Sequence, residues 1–188
     1  MVFVSAETGF LLVASPHAAD EHRETVVLVA VHGEEGSLGF VLNRPSARRL
    51  GDSLLRLGVM IPPHVDRKGP TWRGGRTRPD IGWLLFDARG IEAPDDSCLL
   101  TPEIGVTASP AAVEQVLAQK APTMLILGHL TWEADELDAE IREGKWMRID
   151  VDPKLVFDAP ATQRWSDATC DALEMPRPWW GLARFVSA

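Results

Sequence analysis

The 188-residue chain is poor in features that announce a chemistry. It has two cysteines, Cys98 and Cys170, far apart and each among apolar or small neighbours. That is too few for a disulfide framework and lacks the Cys/His spacing of a zinc site, so the expectation is two buried thiols in a reducing compartment. No apolar run approaches the ~20 residues of a membrane span. The apolar start, "MVFVSAETGFLLVASPHAAD", has no Lys or Arg ahead of it and reads as a strand, not a signal peptide, which places the chain in the cytoplasm. Basic residues are outnumbered, 19 against 27 acidic, for a net charge of -8. That excess repels phosphate backbones and speaks against direct DNA binding. The only basic groupings are Arg48 with Arg49, and the run Arg67, Lys68, Arg73, Arg76, Arg78. There is no internal repeat, no linker, no Gly-x-Ser-x-Gly elbow and no cysteine with catalytic flanks, so residues 1–188 read as one domain without a visible nucleophile.

What is present is a hydrophobic pattern. At 45% hydrophobic and 24% charged residues, the chain can bury a sizeable core. "HGEEGSLGFVLNRP" at 32–45 has the glycine spacing of a phosphate loop, but its glycines lead from one β-branched run into another, not into a helix N-terminus. Residues 25–43 therefore predict an antiparallel hairpin about Gly33-Glu34-Glu35-Gly36, with His32 opposite Ser37, Ala30 opposite Gly39 and Val26 opposite Asn43. One face then carries Val27, Val29, Val31, Leu38, Phe40 and Leu42, the other Val26, Leu28, Ala30 and Val41. With both faces apolar, the hairpin should be covered on both sides.

Further strands are expected at 10–14, 83–86, 97–101, 124–127, 146–151 and 155–157. Helices are expected after Pro45 (Leu50, Leu54 and Leu57 inward, Gly58 as stop), from Ser109-Pro110 to Ala121-Pro122, over 133–143 (Ala134, Leu137 and Ile141 inward, Gly144 closing it) and over 161–173. Residues 59–82 read as a long surface segment, and 128–132 as a link. Strands and helices do not alternate strictly, which predicts α+β and not a doubly wound parallel sheet.

The stretches "GFLLVASP", Asp20, "TVVLVAVHGEEGSLGFVLNRP", "RGG" at 73–75, Gly82, "GHLTWEADELDAEI", Trp146, "LVFDAP" and Arg164-Trp165 resemble the AlgH/YqgE family of bacterial proteins over about residues 8–165. The resemblance implies an α+β fold around a barrel-like, largely antiparallel sheet. It implies no activity; the family's label of transcriptional regulator comes from a link to alginate production, not from a DNA-binding motif. The chain departs from the family pattern in two places. It has Arg76-Thr77 where the family has Pro-Val, and Thr131, Glu133 and Asp135 where the family has glycines, while Trp132 and Glu140 persist.

The candidate binding surface is built from His32, Asn43, Arg44, Gly74, Gly75, Trp132, Asp138 and Glu140, on three segments that carry the polar and glycine features. Arg44, held between a strand end and Pro45, presents a planar fork suited to carboxylate or phosphate. The alternative is that Asn43 caps a turn and Arg44 pairs with Asp138 or Glu140. Trp132 is a core anchor or a stacking surface, and Asp138 is spaced for an i,i+4 pair with Arg142. His17, His22, His32, His64 and His129 have no metal-ligand spacing, and no metal or cofactor is expected. The leading reading is a non-catalytic binding or regulatory domain for a protein or small-molecule partner that the sequence does not name. Its rival is an enzyme using Glu136, Asp138 or Glu140 as acid/base with His32 or His129 assisting. The tail 174–188, with Trp179 and Trp180, reads as docked on the body or as a subunit contact.

Overall fold

A computed structural model of the chain describes residues 7–18 and 22–176. Asp20 and the Trp179-Trp180 tail lie outside the described residues. Among the described residues ten strands and five helices alternate irregularly, as expected of an α+β fold. The strands β1 (Phe10–Ala14), β2 (Val26–Gly33) and β3 (Gly36–Val41) form a meander. Strand β4 (Pro45–Arg49) leads into helix α1 (Leu50–Arg56), which Gly58 ends with a positive φ of 75°. Strands β5 (Pro70–Arg73), β6 (Thr77–Asp87), β7 (Cys98–Thr101) and β8 (Ile104–Thr107) follow. Helix α2 (Pro110–Ala118) starts as predicted: Ser109 Oγ accepts from the Ala112 amide, and Pro110 occupies the first turn. After it come β9 (Thr123–Trp132), α3 (Glu136–Arg142), β10 (Trp146–Asp150), α4 (Pro153–Phe157) and α5 (Ala161–Ala172).

The sheet order is β10-β1-β2-β3-β9-β6-β8-β7, antiparallel throughout, with β4 and β5 as a side branch that joins β9 in parallel. The sheet curls far enough to bring the residues before β1 against β7: Thr8 Oγ1 donates to the Leu100 carbonyl at 3.0 Å, and a Cβ on Gly9 would lie 2.3 Å from that carbonyl oxygen. The inner face of the curl buries Leu11, Leu28, Phe40, Leu85 and Ile126 against Leu155 and Trp165 of α4 and α5. On the outer face, α3 covers Leu12, Val27, Val29 and Trp146 through Leu137, while α1 and α2 cover Leu84, Phe86 and Leu125.

The hairpin is covered on both sides, but its faces differ from the simple alternation. His32 does face Ser37, yet the next pairs are Val31–Leu38 and then Val29–Gly39, with Ala30 bulged out of the ladder. One extra residue reverses the facing of everything beyond it. Phe40 and Leu42 therefore join Val26, Leu28 and Ala30 on the inner face, Val41 joins Val27 and Val29 on the outer, and Val31 is left 44% exposed.

Other expectations fail for reasons particular to each segment. Part of the 59–82 "surface segment", residues 70–73 and 77–82, is strand, because β5 and the first part of β6 gain partners in β9 that only folding supplies. Residues 128–132 continue β9, since Gly128 with φ 71° turns the strand without ending it. Residues 155–157 are helical: Asp152 caps Lys154 and Pro153 sits in the first turn, the same signal as Ser109-Pro110. The acidic helix begins only at Glu136, leaving Ala134 exposed, and Cys98 is exposed where only Cys170 is buried.

Val29 is fully buried against α3, so Val29→Asp places an unpaired carboxylate in the outer core at a cost of several kcal/mol. We expect this variant to be unfolded by circular dichroism at 25 °C. An unchanged melting temperature would place β2 at the surface.

Candidate functional site

Strand β9 belongs to two parts of the sheet at once. Its C-terminal end, Leu130–Trp132, pairs with β3, whereas Thr123–His129 pairs with β6 and β5. Between these regions β5 wedges in from the side and the sheet forks. Gly74 spans the fork: its amide donates to the Leu127 carbonyl at 2.8 Å and its carbonyl accepts from Val41 N–H at 2.9 Å. One residue back, Arg73 N–H donates to the Arg44 carbonyl at 2.8 Å. A Cβ on Gly74 would lie 2.3 Å from the Gly128 oxygen, and one on Gly75 2.1 Å from the His129 oxygen. The "RGG" glycines are thus demanded by backbone contact, which answers why the sequence carries them.

The same contact builds a concavity of about 350 Å³ in the fork. Val41 and Leu130 supply apolar wall, and Arg44, Arg73, Arg76 and His22 line it with groups able to carry positive charge. Arg44 is fixed there by its Nη2, which donates to the Arg23 carbonyl and to Thr25 Oγ1. It also lines a second concavity of about 430 Å³, between Pro45 and the start of α5. The alternative ion pair with Asp138 or Glu140 is not formed; backbone and hydroxyl oxygens orient the guanidinium without neutralising it. Asn43 is buried and structural: Oδ1 accepts from Val26 N–H at 3.1 Å and Nδ2 donates to the Glu24 carbonyl at 2.7 Å. It ties the turn before β2, where Glu24 has a φ of 52°, to the end of β3.

The other predicted residues gather around α3. Trp132 and Trp146 both donate indole N–H to Glu140 Oε2, at 2.9 and 2.8 Å, and Lys145 Nζ is 3.5 Å from Oε1. Burial pushes the Glu140 carboxyl up, but the two indoles, Lys145 and His22 together hold it below its ordinary value. The His22 ring lies 5.0 Å from that of Trp146, so this anchor also backs one side of the concavity.

His32 bonds Ser37 Oγ through Nδ1 at 2.8 Å, and its Nε2 is 3.4 Å from Asp138 Oδ1. Asp138 therefore pairs across to the hairpin, not along the helix to Arg142. These are the residue types of an acyl-transfer relay. Ser37, however, is 8% exposed on a strand paired to both His32 and Trp132, so its hydroxyl serves as a tie between hairpin and helix. His129 packs edge-on against Trp83 on the inner side, away from these carboxylates, and burial and then Arg78 lower its pKa. Asp135, at one of the positions where the resembled family has glycine, adopts a φ of 61°, a left-handed conformation in which glycine carries no steric penalty.

The predicted surface thus divides in two: Arg44, Gly74 and Gly75 at the fork, and His32, Trp132, Asp138 and Glu140 in the α3 buttress. Sequence reasoning missed Arg73, Arg76 and His22 as site residues. The arginines flanking the glycine pair were visible, but only the antiparallel pairing of β5 with β4, which sets Trp72 opposite Pro45, brings them beside Arg44.

The sequence model of the AlgH-like family matches residues 11–174. The chain belongs to the AlgH-like family. It is 32% identical to a UPF0301 protein of Xylella fastidiosa, covering 84% of this chain and 85% of that one, and 32% identical to a UPF0301 protein of Paraburkholderia phytofirmans, covering 84% and 83%. The solution structure of the AlgH protein from Pseudomonas aeruginosa superposes with a TM-score of 0.73 at 28% identity, covering 94% of each chain. A crystal structure from Corynebacterium diphtheriae, at 22% identity and a TM-score of 0.72, shares the fold. No helix among the described residues is long and apolar enough to cross a membrane.

A carboxyl depressed by folding stabilises above its ordinary pKa of 4.5, and that contribution is lost as pH falls through the folded value. Glu140→Gln should cost about 1–2 kcal/mol at pH 7, since its two indole donors face a neutral acceptor. In urea unfolding, the gap between wild type and variant should narrow below pH 4.5. A gap that is absent at pH 7, or that widens in acid, would remove Glu140 as the anchor.

Proposed function

We propose that this AlgH-like protein is a non-catalytic binding domain that captures an anionic group of a partner in the concavity at the sheet fork. The observation that carries this reading is the convergence of Arg44, Arg73 and Arg76 on one concavity of a chain whose net charge is -8. A local positive site within an overall negative field favours a compact anion over a long polyanion. Arg44 is held by neutral oxygens, so its charge remains available to a carboxylate or phosphate. The clustering of cations in a concavity, not along a helix, fits a reader of acidic groups better than a reader of DNA. Cytoplasmic residence accords with the exposed thiol of Cys98, which forms no disulfide among the described residues.

Catalysis fits less well. The acidic side chains considered for acid/base work are engaged in ties: Glu140 by two indoles, Asp138 by His32 and Glu136 by the Glu133 amide.

Arg44→Ala removes two hydrogen bonds of a half-buried side chain and should cost under about 1.5 kcal/mol. In fluorescence anisotropy with a fluorescein-labelled tetraglutamate peptide at 50 mM salt, wild type should bind, Arg44→Ala should lose at least roughly tenfold in affinity, and Arg44→Lys should recover part of it. A several-kcal/mol loss of stability, with peptide binding unchanged in the folded fraction, would make Arg44 structural.

A further inference from the structure

Among the described residues Arg164 is the largest fully buried side chain, 2% exposed, and no carboxylate is paired with it. Its Nε donates to the Leu155 carbonyl at 2.9 Å, Nη2 to the Ala159 carbonyl at 2.8 Å, and Nη1 to the Leu42 carbonyl. Three of the five N–H groups of a guanidinium are thereby used, two remain, and the positive charge is uncompensated. Burial alone pushes its pKa down, to about 10, so the group is still a cation at neutral pH. Buried cations are ordinarily paired, because desolvation is costly unless an anion offsets it.

Arg164 also lines a groove of about 560 Å³, a size typical of small-molecule sites. Part of the groove wall is apolar, with Trp72, whose ring lies 5.2 Å from the guanidinium carbon, Met124, Leu117 and Phe157, while His64, Asp66 and Lys120 make the rest polar. This groove is separate from the fork concavity, and the two share no lining residue.

We propose that this groove binds an amphipathic monocarboxylate, its carboxylate on the free edge of Arg164 and its apolar chain along Trp72, Met124 and Leu117. The formal charges of the lining, Arg164 and Lys120 against Asp66, leave one net positive, which calls for one negative charge, and the two N–H groups that Arg164 has left can donate to carboxylate oxygens. The apolar walls select a ligand with a hydrocarbon or aromatic body over a bare anion.

Isothermal titration calorimetry on the full chain, below micelle-forming concentrations, tests this with decanoate, decanol, decyl phosphate and acetate. Decanoate should bind with one-to-one stoichiometry, roughly tenfold or more tighter than decanol, with acetate undetected. Arg164→Met should abolish the preference for decanoate over decanol. Because Arg164 also holds three backbone carbonyls, a second variant guards against misfolding: Ala121→Trp adds bulk at a partly exposed wall position of the groove and leaves the Arg164 side chain in place as a donor. Folded Ala121→Trp should bind neither decanoate nor decanol. Equal affinity for decanoate and decanol in wild type, tighter binding of decyl phosphate, or undiminished decanoate binding in Ala121→Trp would each overturn the proposal.

Discussion

At the sheet fork a single residue, Gly74, hydrogen-bonds to both diverging strands, donating to Leu127 of β9 and accepting from Val41 of β3. The contact closes because neither Gly74 nor Gly75 has a side chain and because Gly128 turns β9 with a positive φ. Any Cβ at 74 or 75 would overlap backbone atoms, which cannot move aside as a flexible side chain can. The parallel pairing of β5 with β9 depends on this approach. So does the position of Arg73, whose amide reaches the Arg44 carbonyl. The cationic concavity is therefore a consequence of how the sheet divides.

Around the fork, polar side chains hold the elements at fixed distances. Asn43 joins the turn before β2 to the end of β3, Glu140 pins α3 through two tryptophans, and the Ser37–His32–Asp138 line joins the hairpin to the same helix. Each of these groups is satisfied by partners within the protein, which fixes its side chain in place. Arg44 and Arg164 differ from these groups. Both are oriented by neutral oxygens, and neither guanidinium is neutralised by the groups that hold it.

Local signals in the sequence were legible where one residue determines its own geometry. Ser109-Pro110 started a helix, Gly58 and Gly144 ended helices, and the β-branched runs at 25–43 made a hairpin buried on both faces. The α+β class followed from the order of such elements. Signals failed where the determinant is distant. The bulge at Ala30 has no mark in composition, yet it exchanges the facing of Val41 and Phe40. The strand character of 70–82 depends on β9, fifty residues on. Of the candidate site, Arg44 and the glycine pair could be read as a unit with the strand end, but Arg73, Arg76 and His22 reach the concavity only through pairings between elements remote in the chain. The Asp152-Pro153 cap was legible by the rule that placed α2, and was outweighed by the β-favouring look of Leu155-Val156-Phe157.

The most direct test of the fork as a binding site is amide chemical-shift mapping by two-dimensional NMR during titration with unlabelled tetraglutamate peptide. The account predicts saturable shifts confined to residues 22–25, 41–44, 73–76 and 130. They should be abolished in Arg44→Ala, while the amides of α2, distant from the fork, stay in place. Shifts centred instead on Arg48, Arg49 and Arg56, or persisting in Arg44→Ala, would contradict it.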